Sequence, residues 1–257
     1  AKILNIKATV FLPEYTSKYK QYAVASYGAS VVITPNRQQA EDAVKQKGEE
    51  GCYVVPPSDE DMVIAGNGTA AFEAFQEMIK PDAAFVACGG GGLAAGTYLA
   101  AQILTPTTKI FAAEPKQAND AYLSLQQGKI FRFENSPDTI ADGARTLGIT
   151  PRIYHYLKQI TGIHEIEEEE IMFWTVYLTN LLNSPVEPTS CLAMASCYKW
   201  LKQQTSKKEV LVILSGSNID NDTFQEISQK NNLELKQTTK DGQLTTELLA
   251  KELIVEA

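Results

Sequence analysis

Four consecutive glycines, Gly89-Gly90-Gly91-Gly92, follow the apolar run Phe85-Val86-Ala87-Cys88 and lead straight into Leu93-Ala94-Ala95-Gly96. Ordering glycines costs more backbone freedom than ordering any other residue, so a run of them needs a compensating gain. This composition offers a row of N–H groups that an anion can approach with no Cβ in the way, backed by the positive end of a following helix. That is the chemistry of a phosphate cradle at the end of a strand. A dinucleotide fingerprint G-x-G-x-x-G fits less well, because Ala94 stands where its third glycine belongs, although Glu114 lies near the distance of the acidic residue that meets a ribose. A ligand-free tight turn would need only one or two glycines.

Glu114-Pro115-Lys116-Gln117-Ala118-Asn119-Asp120 is a second candidate, with two carboxylates six residues apart and carbonyls between them. Hard divalent cations take such oxygen sets, completed by water. From spacing alone the same residues read more readily as an acidic helix start, with Asp120 as N-cap and Glu114 in solvent. Two further loops carry polar groups at the ends of apolar segments. In Glu187-Pro188-Thr189-Ser190 a hydroxyl is placed to cap the next helix, and Ser215-Gly216-Ser217-Asn218 ends a strand. Glu167–Glu170 reads as a solvated helix start, and His155 and His164 are too isolated to form a triad or a metal set.

The elements that must hold these loops alternate between helical and β-branched segments, which implies parallel β-α-β units. Residues 1–6 resemble the last turns of a helix. Strands are expected at 7–12, 29–34, 51–55, 83–88, 109–113 and 209–214. Helices are expected at 17–26, from 36 or 37 to about 48, from beyond the Gly66-Asn67-Gly68 loop to 79, and at 93–103, 119–127, 151–160, 167–182 and 190–204. Pro56–Glu60 reads as a hinge, and the polar tail from 231 has a weak helical pattern over 245–254. The strand at 209–214 is an unbroken apolar run of the kind covered on both faces. Ligands of open α/β sheets gather at the C-terminal strand ends, where the glycine run and Ser215 both fall.

With 257 residues and 44% hydrophobic content the chain can bury a large core. Its net charge of −8 and the lack of a basic run argue against nucleic acid, and no stretch is apolar enough for a membrane span. Cys52, Cys88, Cys191 and Cys197 lack Cys-x-x-Cys spacing and read as buried thiols of a cytoplasmic protein.

Taken in order, FLPEYTSKYKQ, SYGASVV, VIAGNGT, CGGGGLAAG, AAEPKQANDAYLSLQQGKI, PDTIADGAR, VEPTS and LSGSNID resemble the serine/threonine dehydratase and serine racemase branch of the fold-type II pyridoxal-phosphate enzymes. The resemblance runs from residue 1 to about residue 225. It implies a tryptophan synthase β-like α/β architecture of two three-layer domains with open, twisted, mostly parallel sheets. Residues 1–62 would belong to the small domain and 63–257 to the large, cofactor-binding one. Gly89, Gly90, Gly91 and Gly92, with Leu93, would hold the phosphate of pyridoxal 5'-phosphate. Gly143 and Glu187 would lie beside the cofactor, Ser215 would face its pyridine nitrogen, Asn218 would line the site, and Tyr27 would stand near the domain interface. Glu114, the carbonyl of Ala118 and Asp120 would bind a divalent cation, Mg2+, Mn2+ or Ca2+.

The resemblance implies an ammonia-lyase that eliminates water from a small β-hydroxy amino acid, L-serine or L-threonine, to give pyruvate or 2-oxobutanoate and ammonia. A serine racemase or a hydroxyaspartate dehydratase shares the same motifs, and the family's usual homodimer is implied with them. The family's Ser-x-Lys-x-Arg-Gly stretch, source of the Schiff-base lysine, and its Ser-Gly-Asn-His-Gly loop are not in this chain. The N-terminal segment of the family layout is therefore expected to be missing and the chain alone inactive, with a non-catalytic binding protein as the rival reading. Smaller departures are Pro56 where relatives often have His, Ser58 for an aromatic, Cys88 for a Gly or Ser, and Ser217 for a glycine.

Overall fold

The computed structural model describes residues 1–77, 80–240 and 243–250. Residues 1–6 carry the hydrogen bonds that close a helix: Ile6 N–H to Ala1 O at 3.0 Å and Asn5 N–H to Lys2 O at 3.1 Å, with Asn5 left-handed at φ 51°. Strand β1 (Thr9–Pro13), helix α1 (Lys18–Ser26), strand β2 (Ser30–Thr34) and helix α2 (Arg37–Glu49) follow, with β1 and β2 parallel in register Thr9 to Ser30. Both helix starts are written locally: the Ser17 side chain accepts from Lys20 N–H at 3.3 Å and Asn36 from Gln39 N–H at 2.9 Å.

The third strand expected at 51–55 does not form. Among the described residues this sheet has two strands, and 51–55 is not paired to either; its first N–H groups, of Gly51 and Cys52, bond back to Gly48 O and Lys47 O at the end of α2. Tyr53, Val55 and Cys52 are consequently exposed, which corrects the reading of Cys52 as a buried thiol; Cys88, Cys191 and Cys197 are buried.

Helix α3 (Asp61–Glu77) starts earlier than its sequence suggests, and Ala65–Thr69, expected as a loop, lies within it. The expected division after residue 62 falls in its first turn, and its expected end at Ile79 lies outside the described residues. The glycines have a packing purpose here. A Cβ on Gly68 would stand 2.7 Å from the carbonyl oxygen of Gly96, and one on Gly96 would strike Ile64 O and Gly68 N. Backbone thus touches backbone where α3 crosses α4 (Gly92–Leu104).

Strand β3 (Ala83–Ala87) is buried throughout and lies at the centre of a four-stranded parallel sheet of order β5-β4-β3-β6. It pairs directly with β4 (Lys109–Pro115) and β6 (Val210–Val212), and β5 (Gly162–Ile166) pairs with the far edge of β4. On one face Ala84, Val86 and Ile110 pack against Ile64 and Phe75 of α3, Ala94 and Ala101 of α4, and Ile153 and Leu157 of α6 (Pro151–Leu157). On the other, Phe85 and Phe111 stack at 5.4 Å and meet Ala193, Cys197 and Trp200 of α8 (Pro188–Leu201). Helix α7 (Glu168–Leu182) packs on α8 through Trp174 and Leu178. This alternation of faces makes the three layers.

The remaining helices are α5 (Asp120–Gln127) and α9 (Asn221–Lys230), the latter capped by Asp220. Neither β5 nor α9 is among the elements expected from sequence. The tail forms an antiparallel pair, β7 (Leu233–Lys240) and β8 (Gln243–Ala250), in place of the expected helix, whose last residues lie outside the described ones. Among the described residues no helix is long and apolar enough to cross a membrane.

Candidate functional site

The C-terminal ends of β3, β4 and β6 carry the candidate loops. At the end of β3, Cys88 N–H still joins the sheet through Ala113 O at 2.8 Å. Gly91 then turns left-handed at φ 80°, and the first hydrogen bond of α4 is that of Ala95 N–H to Gly91 O at 2.9 Å. Among the described residues, no N–H from Gly89 through Ala94 has a protein acceptor. This is a helix N-terminus extended backwards by a glycine loop, with its donors unclaimed. The walls of the loop are close. Gly143 O lies against Gly89, and Ser58 Oγ is 2.5 Å from where a Cβ of Gly90 would stand. Asn67 Nδ2 is 3.1 Å from the corresponding point of Gly92, and Ile153 fills that of Gly91. The Leu93 side chain packs into the core beside α4, so only its backbone belongs to the cradle.

Gly143 lies in a short 3-10 turn, Asp142–Ala144, and ties the cradle to the second loop by donating its N–H to Thr189 Oγ1 at 3.0 Å. The expected capping of α8 by Thr189 or Ser190 is therefore corrected. Glu187 occupies the cap position without a side-chain cap bond, and both hydroxyls are used across loops. Ser190 Oγ accepts the Gly216 N–H at 2.6 Å, donates to Gly216 O at 2.8 Å and lies 3.2 Å from Ser215 Oγ. Glu187 N–H donates to Gly216 O at 3.2 Å, and its Oε1 would be 2.5 Å from a Cβ on Gly216. Burial raises the Glu187 pKa; the Lys20 ammonium lowers it, the Asp142 carboxylate raises it and the Asn218 backbone N–H lowers it. Gly89–Gly92, Gly143, Glu187, Ser215 and Asn218 are thus brought together. Tyr27 is exposed, with Lys2 Nζ 5.6 Å from its ring centre.

Glu114, at the end of β4, is not in solvent. It is fully buried, and its carboxylate accepts Ala121 N–H at 3.0 Å and Tyr122 N–H at 2.8 Å, capping α5 from a distance. Asp120, read as an N-cap, is instead the first helical residue. Its Oδ1 accepts the Thr146 hydroxyl at 2.8 Å, while its buried Oδ2 has no hydrogen-bond partner. Burial pushes Glu114 well above the usual carboxylate range, and the Asp120 charge adds to it. Burial also raises Asp120 to about 6, against the Thr146 hydroxyl bond. Both carboxylates are thus desolvated, with the Glu114 oxygens satisfied by N–H groups and one Asp120 oxygen orphaned. Among the described residues no group of three or more His, Cys, Asp or Glu side chains could hold a metal ion.

Lys20, Asp142, Ser58 and Asn67 also border the site and escaped the sequence reading of individual residues. The signal for Lys20, Asp142 and Asn67 was membership of matched segments, and Ser58 stood out only as a departure from the family. His164 bonds Ser196 Oγ at 2.7 Å and stacks on Phe111 at 5.0 Å, a core arrangement. Glu167–Glu170 does more than face solvent: Glu167 and Glu170 form a capping box, and Glu168 Oε2 accepts Ile140 N–H at 3.0 Å.

A parallel α/β sheet with an anion cradle after a central strand and a hydroxyl-bearing loop after its neighbour defines the fold-type II class of cofactor enzymes. The chain belongs to the pyridoxal-phosphate dependent enzyme family, whose model matches residues 1–216. It is 37% identical over 225 residues to the L-threo-3-hydroxyaspartate ammonia-lyase of Saccharomyces cerevisiae, covering 86% of this chain and 68% of that protein. It is 34% identical over 223 residues to the serine racemase of Schizosaccharomyces pombe, covering 86% and 68%. Among solved structures it is similar to the serine racemase of Dictyostelium discoideum, with TM-score 0.76 and 33% identity over 85% of this chain and 71% of that one. A threonine deaminase from T.th. gives TM-score 0.77 and 35% identity over 86% and 72%.

Proposed function

We propose that this chain carries the phosphate and ring-nitrogen side of a pyridoxal-phosphate site in an ammonia-lyase acting on a small β-hydroxy amino acid, L-serine or L-threonine. The observation that carries the reading is the run of unclaimed N–H groups from Gly89 through Ala94. When bound, pyridoxal phosphate supplies the electron sink that acidifies the substrate's α-hydrogen. The chain's own residues position it. The glycine N–H groups would take the phosphate, Gly143 would border the ring, Glu187 and Asn218 would line the loop, and Ser215 would present a neutral hydroxyl to the pyridine nitrogen. A neutral hydroxyl holds a proton there less firmly than a carboxylate would, which suits a reaction discharged by prompt loss of water. Mg2+, Mn2+ or Ca2+ at Glu114, the Ala118 carbonyl and Asp120 would tie β4 to α5. Residues 1–257 alone are expected to be inactive, because no lysine among them stands in the family's Schiff-base motif. A homodimer accompanies this reading.

The 37% identity to a hydroxyaspartate ammonia-lyase favours a second substrate, L-threo-3-hydroxyaspartate, for the same elimination. Two measurements test the proposal. Fluorescence titration of the protein with pyridoxal phosphate should show saturable binding displaced by inorganic phosphate and lost in Gly90→Asp; no binding overturns the reading. Keto-acid release from serine, threonine and hydroxyaspartate, by this chain and by any longer form of the protein, then assigns the substrate.

A further inference from the structure

Lys20 is the cation that faces the carboxylates of the candidate site. It lies on α1, in the first sheet unit, and reaches the loops that end the strands of the second. Its Nζ is 2.6 Å from Asp142 Oδ2 and 3.9 Å from Glu187 Oε2. The side chain is three-quarters buried, Asp142 is partly covered, and Glu187 is more enclosed than either, with 15% of its side chain exposed. Asp220, the cap of α9, also feels the Lys20 charge. Two acidic groups from separate segments thus meet one ammonium.

Each carboxylate is attached to a different part of the site. Asp142 opens the turn whose Gly143 bonds Thr189 and packs on Gly89. Glu187 sits against Gly216, next to Ser215. An ordinary surface ion pair contributes little, because solvent screens it and both side chains lose freedom. This one is partly desolvated, shared between two acids and made between elements far apart in the chain, where pairing has more effect.

We propose that Lys20 is a positioning residue whose ammonium fastens α1 to the Asp142 turn and the Glu187 loop, fixing the Glu187 carboxylate beside Gly216. The groups facing Glu187 are Lys20 from α1, Asp142 from the 3-10 turn, Cys191 from α8, and the Asn218 backbone, with Asp220 reached through Lys20. Cys191 is held neutral, its thiol pushed up by burial to about 12. Lys20 and Asp142 therefore set the charge around Glu187 with opposite signs. The role does not depend on the cofactor or the substrate.

The test uses Lys20→Met, Lys20→Arg and Asp142→Asn in the whole chain without added cofactor. One readout is the titration midpoint of the Glu187 side-chain carboxyl by 13C NMR, its signal assigned with Glu187→Gln. The other is the rate of chymotryptic cleavage at Tyr19 and Tyr22, both exposed on α1. Lys20→Met should move the midpoint to higher pH and speed cleavage, and Lys20→Arg should restore both. Asp142→Asn should move the midpoint to lower pH, since the repelling charge is gone and Lys20 turns wholly to Glu187. An unchanged midpoint and cleavage rate in Lys20→Met overturns the proposal. If Lys20→Met does not fold, a midpoint in Asp142→Asn that rises or stays put overturns it equally. Failure to bind pyridoxal phosphate would count against the proposed function and leave these outcomes as they are.

Discussion

The hydroxyl of Ser190 stands 3.2 Å from that of Ser215, and where Ser190 gives its proton to the nearer Gly216 carbonyl, Ser215 is the donor in that contact. Ser190 has a single proton, and the Gly216 carbonyl at 2.8 Å can only accept it, while the Gly216 N–H at 2.6 Å takes up a lone pair. The proton between the two serines then comes from Ser215, which turns its own lone pairs outward. Ser190 is fully buried, so Ser190→Ala leaves the Gly216 N–H without this acceptor and frees the Ser215 proton. Unfolding in denaturant should show a loss of about 1–3 kcal/mol, the usual penalty for such an orphaned group. A loss within experimental error would mean that Gly216 finds another partner.

Buried Glu114 and Asp120 make stability depend on pH in the unusual direction. Both folded-state pKa values lie above their unfolded ones, so between the two the folded chain holds protons that the unfolded chain has released. Stability must therefore fall as pH rises, from the ordinary carboxylate range up to the raised folded-state values of the two groups, about 6 for Asp120. Melting temperatures in the presence of a chelator should decline over that window, and Asp120→Asn should flatten the decline. Added Mn2+, Mg2+ or Ca2+ should offset it in the parent and leave Asp120→Asn unmoved. A profile indifferent to all three ions would remove the cation from the proposed function.

Gly91 and Gly128 separate backbone strain from crowding. Both are left-handed, at φ 80° and 68°. Alanine at Gly128 would meet nothing within 4 Å, so Gly128→Ala should cost only the conformational strain, about 1–2 kcal/mol. Alanine at Gly91 would also strike the Ile153 methyl, and overpacking of this kind adds about 1–3 kcal/mol. Gly91→Ala should be the less stable by thermal melting and should also weaken pyridoxal-phosphate binding, which Gly128→Ala should leave alone. Equal stability in the two variants would show that Ile153 gives way.

The cradle is legible in the sequence because its signal is local. Phe85–Cys88 is a strand by composition, and four glycines leave a chain few other uses. Most helices are legible for the same reason, through apolar spacing and caps such as Ser17 and Asn36. What escapes is decided elsewhere in the molecule. Gly51–Val55 has strand composition and, among the described residues, no strand to pair with. Gly162–Ile166 becomes a strand because β4 offers its edge, although His164 and Glu165 break the apolar run. Glu114 reads as solvated, and only the fold shows the N–H groups of α5 turned towards it. The convergence of Lys20 on Asp142 and Glu187 joins α1 to loops more than a hundred positions away, and spacing carries no trace of it.

Helices α3 and α4 show how one residue type can serve opposite ends. Gly66 faces open space, whereas Gly96 on α4 touches Ile64 O and Gly68 N of α3. Gly66→Ala should stabilise the protein by about 0.4–1 kcal/mol, since a helical alanine has less freedom to lose on folding. Gly96→Ala should destabilise it by about 1–3 kcal/mol, because the obstructing atoms are backbone and can move only if the helices part. Helix separation at this point would also shift Asn67 and the start of α4, so Gly96→Ala should weaken phosphate binding while Gly66→Ala preserves it. Denaturant unfolding and phosphate titration of the two variants check both halves. A Gly96→Ala protein as stable as its parent would show that the α3–α4 contact is looser than the Gly68–Gly96 approach requires.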